Sequence, residues 1–355
     1  METVTVRIRQ DAQEFSPRED AALREAGNII KNGGLVAFPT ETVYGLGGDG
    51  LNPTSSQKIY AAKGRPSDNP LIIHICDLED LKEIVSELPE AAMRAAKAFW
   101  PGPLTMIFHK AEKVPYETTG GLDTVAVPLP SHKTAQKLIE YSGGYIAAPS
   151  ANRSGRPSPT VAKYVEEDMQ GRIEMIIDGG EVGIGLESTI IDMTVDPPQI
   201  LRPGYVTADM LAEVLGKVDT DVTILTADSG QAPKAPGMKY RHYAPKGELV
   251  IVEGDAEAVV KYINAQTAAD RANHLRTGII ATEENRDKYE ADSVKCVGSR
   301  ADEECIARHL FTALREFDDE QIDRMYSESF SSHGLGQAIM NRLLKAAGHK
   351  VVRLQ

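Results

Sequence analysis

Apolar positions along the chain recur with two periods. Between residues 19 and 32 they return every three to four positions, at Ala22, Leu23, Ala26, Ile29 and Ile30, which predicts a helix with one buried face. Asn32-Gly33-Gly34 closes that helix, and Leu35 to Phe38 follows as a short buried strand. The same patterns predict helices at 54–62, 88–99 and 134–141, and strands at 71–75, 104–108, 124–127, 145–148, 175–178 and 188–192. Strands outnumber helices, so a twisted mixed sheet with flanking helices is expected rather than strict alternation.

The pattern thins after Val206. A helix at 207–216 leads into Asp228-Ser-Gly-Gln-Ala-Pro-Lys-Ala-Pro-Gly237, which has the composition of a linker. Beyond Pro245 strands and helices alternate, with strands at 249–252, 278–281, 293–297 and 322–326 and helices at 256–265, 302–317 and 335–347. This predicts a smaller Rossmann-like α/β domain. The expected organisation is a mixed-sheet domain over 1–206, a linker over 207–246 and the second domain over 247–355. No constellation of polar residues stands out in the second domain.

Composition narrows the function. Hydrophobic content of 41% and charged content of 26% are ordinary for a globular protein. A net charge of −13 argues against a protein that coats nucleic acid, and leaves room for a local basic pocket that takes a nucleotide. Three cysteines, Cys76, Cys296 and Cys305, form no C-x-x-C pair, so neither a disulfide framework nor a zinc site is expected. The absence of a basic-then-apolar leader and of any long apolar run points to a cytoplasmic protein with no membrane attachment.

Candidate chemistry gathers at predicted strand ends. Lys63-Gly-Arg65-Pro-Ser-Asp-Asn69-Pro-Leu-Ile-Ile-His74 sets two cations, an amide and an imidazole around a proline-stiffened turn. Ser150-Ala-Asn152-Arg153-Ser-Gly155-Arg156-Pro-Ser158 adds hydroxyls and a second amide. A polyphosphate site needs this inventory: a compact point charge, a planar fork and neutral donors. Each piece also has a plainer reading. Lys63 and Arg65 suit a solvated helix end, the 150–158 stretch suits an ordinary turn, and spacing alone favours His74 as a hydrogen-bonded core histidine. Thr40-Glu41-Thr42-Val-Tyr44-Gly-Leu-Gly47-Gly48 reads as a glycine-rich turn that lets a ligand near the backbone, but it is neither a P-loop nor G-x-G-x-x-G in register. Glu187-Ser188-Thr189 and Leu201-Arg202-Pro-Gly204 supply two more polar strand ends. With no nucleophile–base pair and no metal-ligand cluster in view, positioning and charge neutralisation are the expected chemistry.

Taken in order, Pro39-Thr-Glu-Thr-Val-Tyr-Gly-Leu-Gly47, Lys63-x-Arg65, Ser150-x-Asn152, Glu187-Ser-Thr-Ile190, Leu201-Arg-Pro-Gly204, Pro236-Gly-Met-Lys-Tyr-Arg-His-Tyr-Ala-Pro245 and Gly334-Leu-Gly-Gln-Ala-Ile-Met-Asn-Arg-Leu343 resemble the YrdC-like family, and within it the long, two-domain threonylcarbamoyl-AMP synthases. The resemblance runs from about residue 20 to the C-terminus. It implies a YrdC-like catalytic domain over 1–206 and an active-site lid within the linker. It also implies a reaction: L-threonine and bicarbonate form a carbamate that attacks the α-phosphate of ATP, with Mg²⁺ accompanying the nucleotide. The product would pass to a downstream tRNA threonylcarbamoyl transferase complex, so tRNA is met at most indirectly.

By the same resemblance, Arg65, Asn69, Thr124, Ser150, Asn152, Ser158, Arg202 and Tyr243 look like nucleotide contacts. Thr42, His74, the Ala148 backbone and Ser188 look like threonine contacts, with Thr40 a close alternative to Thr42. Lys63 and Arg65 carry the catalytic charge, and no protein metal site is implied. One position departs: after Thr124-Val-Ala-Val the family usually has an arginine for the threonine carboxylate, and here stands Pro128. Arg153, Arg156 or Lys239 would then compensate, or threonine would bind weakly, or the amino acid would be a different one. Two other readings compete: a carbamoyltransferase domain of the hydrogenase-maturation kind, and a non-catalytic RNA- or nucleotide-binding protein on the same fold.

Overall fold

The computed structural model describes residues 2–10, 12, 14–221 and 242–355. The expectations placed on 222–241, including most of the lid motif and Lys239, lie outside these residues. Two compact units divide the chain: residues up to 154, with 158–183 and 187–221, form the first, and 155–157, 184–186 and 242–355 the second.

The first unit carries two mixed sheets. One runs Val4–Arg7, Met175–Asp178, Val36–Phe38, Gly45–Asp49, Ile146–Ala147, Ile73–His74 in spatial order. The other runs Asp219–Thr220, Gln199–Arg202, Thr189–Asp192, Leu104–His109, Thr124–Pro128. A parallel bridge between Ile72 and Ala126 links them. The helix Pro17–Lys31 begins with a capping box of Ser16 and Glu19 and a proline in its first turn, and buries Leu23, Ala26 and Ile30 completely. Sequence reasoning missed Val4–Arg7, Gln199–Arg202 and the helix Ala162–Met169.

One expectation about local structure is overturned. Residues 45–49 are not a glycine-rich turn but a strand, antiparallel to Val36–Phe38 on one side and to Ile146–Ala147 on the other. Its glycines serve packing. A Cβ on Gly47 would lie 2.8 Å from Ile146 Cγ2 and 2.9 Å from Phe38 Cε1, so only a bare backbone fits between these side chains.

In the second unit every strand pairing is parallel, in the order Ser293–Cys296, Thr277–Ala281, Arg324–Glu328, Glu248–Glu253, Val351–Arg353. The helix Glu303–Asp319 buries Ile306, Leu310, Ala313, Leu314 and Phe317, as its periodicity predicts. The strand Val351–Arg353 was not anticipated.

Nor was the polar centre of this unit. Glu328, at the C-terminal end of its strand, has a carboxylate only 1% exposed. It accepts from the Tyr289 hydroxyl at 3.1 Å, the Asn285 amide at 3.3 Å and the Thr282 hydroxyl at 3.2 Å, and pairs with Arg300. The expectation that this domain holds no polar constellation therefore fails, because its members come from two loops and a strand end that lie apart in the sequence and carry no common motif.

Candidate functional site

Lys63 is the last residue of the helix Pro53–Lys63, which Gly64 ends in a left-handed turn at φ 62°. It is not a solvated helix end. The side chain is 3% exposed, and its ammonium donates to the carbonyls of Ser150 and Asn152, each at 2.5 Å, and to Asn152 Oδ1 at 3.4 Å. Two segments far apart in the sequence are thus tied at one point charge. The strand Gly45–Asp49 supports the same loop, since Leu46 N–H donates to Pro149 O at 2.7 Å and Ala151 N–H to Tyr44 O at 2.8 Å.

Arg65 and Asn69 form the neighbouring corner. The Arg65 guanidinium donates to Asn69 O at 3.1 Å and Pro70 O at 2.9 Å, closing the proline-flanked turn on itself. Asn69 is buried, and its Oδ1 has no hydrogen-bond partner among the described residues, an acceptor costly to leave unmatched. Arg202 is also buried and donates through Nε and Nη2 to Ser188 O, at 3.1 and 2.9 Å. Lys63, Arg65 and Arg202 therefore share one device. Backbone carbonyls hold each cation in place, the kind of pre-organisation an anionic ligand favours.

The hydroxyls sort by exposure. Ser158 is buried and donates to Glu187 at 2.5 Å. Ser150 is half-buried and donates to Asn152 Oδ1 at 2.5 Å. Ser188, half-buried, pairs with Thr105 at 2.7 Å. Thr124, half-buried, opens the edge strand that ends at Pro128, where a residue without an N–H is tolerated.

On the other side, Thr40 is buried and Thr42 half-buried, with their hydroxyls 2.9 Å apart. His74 closes a two-residue strand; its ring meets the Phe38 ring edge-on, with centroids 6.2 Å apart, and Nδ1 lies 3.4 Å from Ile72 O. Burial pushes its pKa down to about 4, so the imidazole is neutral at pH 7. Ala148 is buried, with its N–H on Ile72 O at 2.9 Å. The expected contacts in the first unit thus sit at the ends of strands, or, for Lys63 and Arg65, at the end of a helix, and in the turns beside them. Tyr243 belongs to the second unit, where its ring stacks on Phe311 with centroids 5.0 Å apart and lies under the Arg342 guanidinium. The Arg153 side chain is exposed, and its backbone N–H donates to Asp168 at 3.2 Å.

Sequence reasoning missed the role of Glu41, between the two threonines. Burial raises its pKa to about 7, against the opposing pull of the Ser131 and His132 N–H groups. Its carboxyl thereby reaches from the Thr40–Thr42 turn to the start of the helix Lys133–Tyr141. A glutamate flanked by hydroxyl residues was the only signal, and it does not reveal burial.

Fold and site together define a YrdC-like domain joined to a parallel α/β domain. Residues 28–204 match the Telomere recombination family, which groups Sua5, YciO and YrdC, and residues 206–348 match the threonylcarbamoyl-AMP synthase C-terminal domain. The threonylcarbamoyl-AMP synthase of Pyrococcus abyssi is 46% identical, covering 99% of this chain and 100% of that protein. That of Bacillus subtilis is 46% identical, covering 94% of this chain and 95% of that protein. The crystal structure of P. abyssi Sua5 complexed with L-threonine superposes with a TM-score of 0.92 at 45% identity, covering all of both chains. This chain belongs to the threonylcarbamoyl-AMP synthase family.

Proposed function

We propose that this chain makes threonylcarbamoyl-AMP from L-threonine, bicarbonate and ATP. The amine of threonine and bicarbonate join as a carbamate, with loss of water and a proton. A carbamate oxygen then bonds to the α-phosphorus of ATP while the bond from that phosphorus to the bridging oxygen breaks, and pyrophosphate leaves. This is nucleotidyl transfer between two anions, so holding them together dominates the barrier. The observation that carries the reading is the Lys63 tie, which joins the Lys-x-Arg turn to the Ser-x-Asn loop.

In this reading Arg65, Asn69, Thr124, Ser150, Asn152, Ser158 and Arg202 face the nucleotide, which arrives as its Mg²⁺ complex. Lys63 fixes the loop from which Ser150 projects, and Arg65 and Arg202 supply the positive field. Thr42, His74, Ala148 and Ser188 face threonine, with Thr40 behind Thr42. Tyr243 is the nucleotide contact that the family resemblance implies within the second unit. The product serves a cytoplasmic complex that modifies tRNA. Among the described residues no helix is long and apolar enough to cross a membrane.

The test is pyrophosphate release from MgATP with and without L-threonine and bicarbonate. Release that requires both supports the synthase. Tight ATP binding with no release under any condition favours the binding protein on the same fold.

A further inference from the structure

Two short stretches, 155–157 and 184–186, belong to the second unit although the chain on either side of each belongs to the first. Each leads directly into one member of the buried Ser158–Glu187 pair, Pro157 into Ser158 and Leu186 into Glu187. Ahead of the first stretch, Ser154 N–H is fixed on Lys63 O at 2.9 Å. The residues between these two holds take partners from the second unit. Gly155 O accepts the Ala244 N–H at 2.8 Å, Arg156 pairs with Asp318 at 3.5 Å, and Pro157 O accepts from Arg315.

Arg315 is the unusual member. It lies in the helix Glu303–Asp319, is completely buried, and turns both Nε and Nη2 to Pro157 O, at 3.0 and 2.5 Å. An apolar side chain would fill that space without the cost of taking a guanidinium out of water, so volume alone does not account for an arginine there. About two turns earlier the same helix meets the second stretch. A Cβ on Gly185, at φ 85°, would lie 2.5 Å from Arg308 Cα and 2.7 Å from Arg308 O, so bare backbone rests on bare backbone. One helix thus carries the chain just before Ser158 and just before Glu187.

The geometry points to Arg315 as a positioning residue for the nucleotide: by holding Pro157 O it sets the Ser158 hydroxyl against Glu187 and fixes the direction in which Ser158 meets its ligand. The inference rests on the reading of Ser158 as a nucleotide contact, and it assigns to a helix of the second unit a part in that contact. Arg315 acts through Ser158 and not on the substrates themselves, so its effect should appear in the use of ATP and not in the use of threonine.

Steady-state pyrophosphate release by the full chain, with MgATP and L-threonine varied separately, tests it. Arg315→Met, which keeps the bulk and removes the donors, should raise the KM for MgATP about tenfold, the scale for one misdirected hydrogen bond, and leave the KM for L-threonine within about twofold. Arg315→Lys, which can still donate to Pro157 O, should recover most of that loss. Ser158→Ala should raise the KM for MgATP by a similar factor. The double variant Arg315→Met/Ser158→Ala should be no worse than either single one, since both remove the same contact. Effects that multiply to about a hundredfold in the double variant would overturn the proposal, as would equal rises in the two KM values. If Arg315→Met does not fold, Arg156→Gln decides the matter by loosening the same stretch through Asp318. It should raise the KM for MgATP about threefold, and not at all once Ser158 is alanine; the same rise in both backgrounds, or none, would overturn the proposal. Ser158→Ala with no effect on MgATP would overturn the nucleotide reading of Ser158 and the proposal together. An effect of Ser158→Ala without one of Arg315→Met would overturn the proposal alone.

Discussion

In the first unit three buried cations, Lys63, Arg65 and Arg202, donate to backbone carbonyls; in the second, the buried Glu328 accepts from two hydroxyls, an amide and a guanidinium. Both groups stand where strands or helices give way to loops, where open sheets place their ligands. They differ in the partners that hold them. The carbonyls that orient the cations are neutral, while the donors around Glu328 include a full opposite charge. Depth of burial alone therefore does not separate the two groups. The chemistry of the holding partners does.

Substitutions on the two sides should separate these cases. Arg65→Ala should lower kcat/KM for pyrophosphate release about a hundredfold to a thousandfold, the scale for losing one pre-organised charge-stabilising group, with little change in the unfolding midpoint. Glu328→Ala should act the other way round. It strands Tyr289, Asn285 and Thr282, and should cost about 3 kcal/mol in urea unfolding with kcat/KM per folded molecule unchanged. Arg300→Ala should also cost about 3 kcal/mol, since it leaves the Glu328 carboxylate, 1% exposed, without its counter-charge.

Two buried groups of the first unit should also pull stability in opposite directions with pH. His74 titrates at about 4 in the folded chain against 6.5 when unfolded, so folding loses stability as pH falls from 6.5 towards 4. Glu41 titrates at about 7 against 4.5, so its burial costs stability as pH rises from 4.5 through 7. Unfolding free energies across pH 4 to 8 should show the acid-side loss vanish in His74→Gln and the neutral-side loss vanish in Glu41→Gln. The smallest expected effect is at Pro128: Pro128→Arg should tighten L-threonine about tenfold, read by calorimetric titration.

Much of this was legible in the order of residues. The helix over 17–31, the alternation after residue 248 and the pairing of the Lys-x-Arg and Ser-x-Asn segments follow from periodicity, capping residues and the clustering of hydroxyls and cations at strand ends. Three features were not. The glycines at 45–48 carry the composition of a turn, and only the Phe38 and Ile146 side chains on either side make them a strand. The carboxyl of Glu41 is local in sequence, but its burial is set by residues near 131. The Glu328 network draws on positions 282 to 328, which no periodicity connects.

The glycine strand has a consequence for how the site behaves over time. Backbone hydrogen bonds join Leu46 to Pro149, Tyr44 to Ala151 and Pro159, and Gly50 to Tyr145, so this stretch is laced to the chain on the far side of the site. Its amide protons should be among the slowest in the first unit to exchange with deuterated solvent, opening only when the whole unit opens. The segment that composition makes look softest would then be the last to loosen, and Thr42 and Ser150, hung from its near end, would keep their spacing through the fluctuations that bring substrates in and let product go.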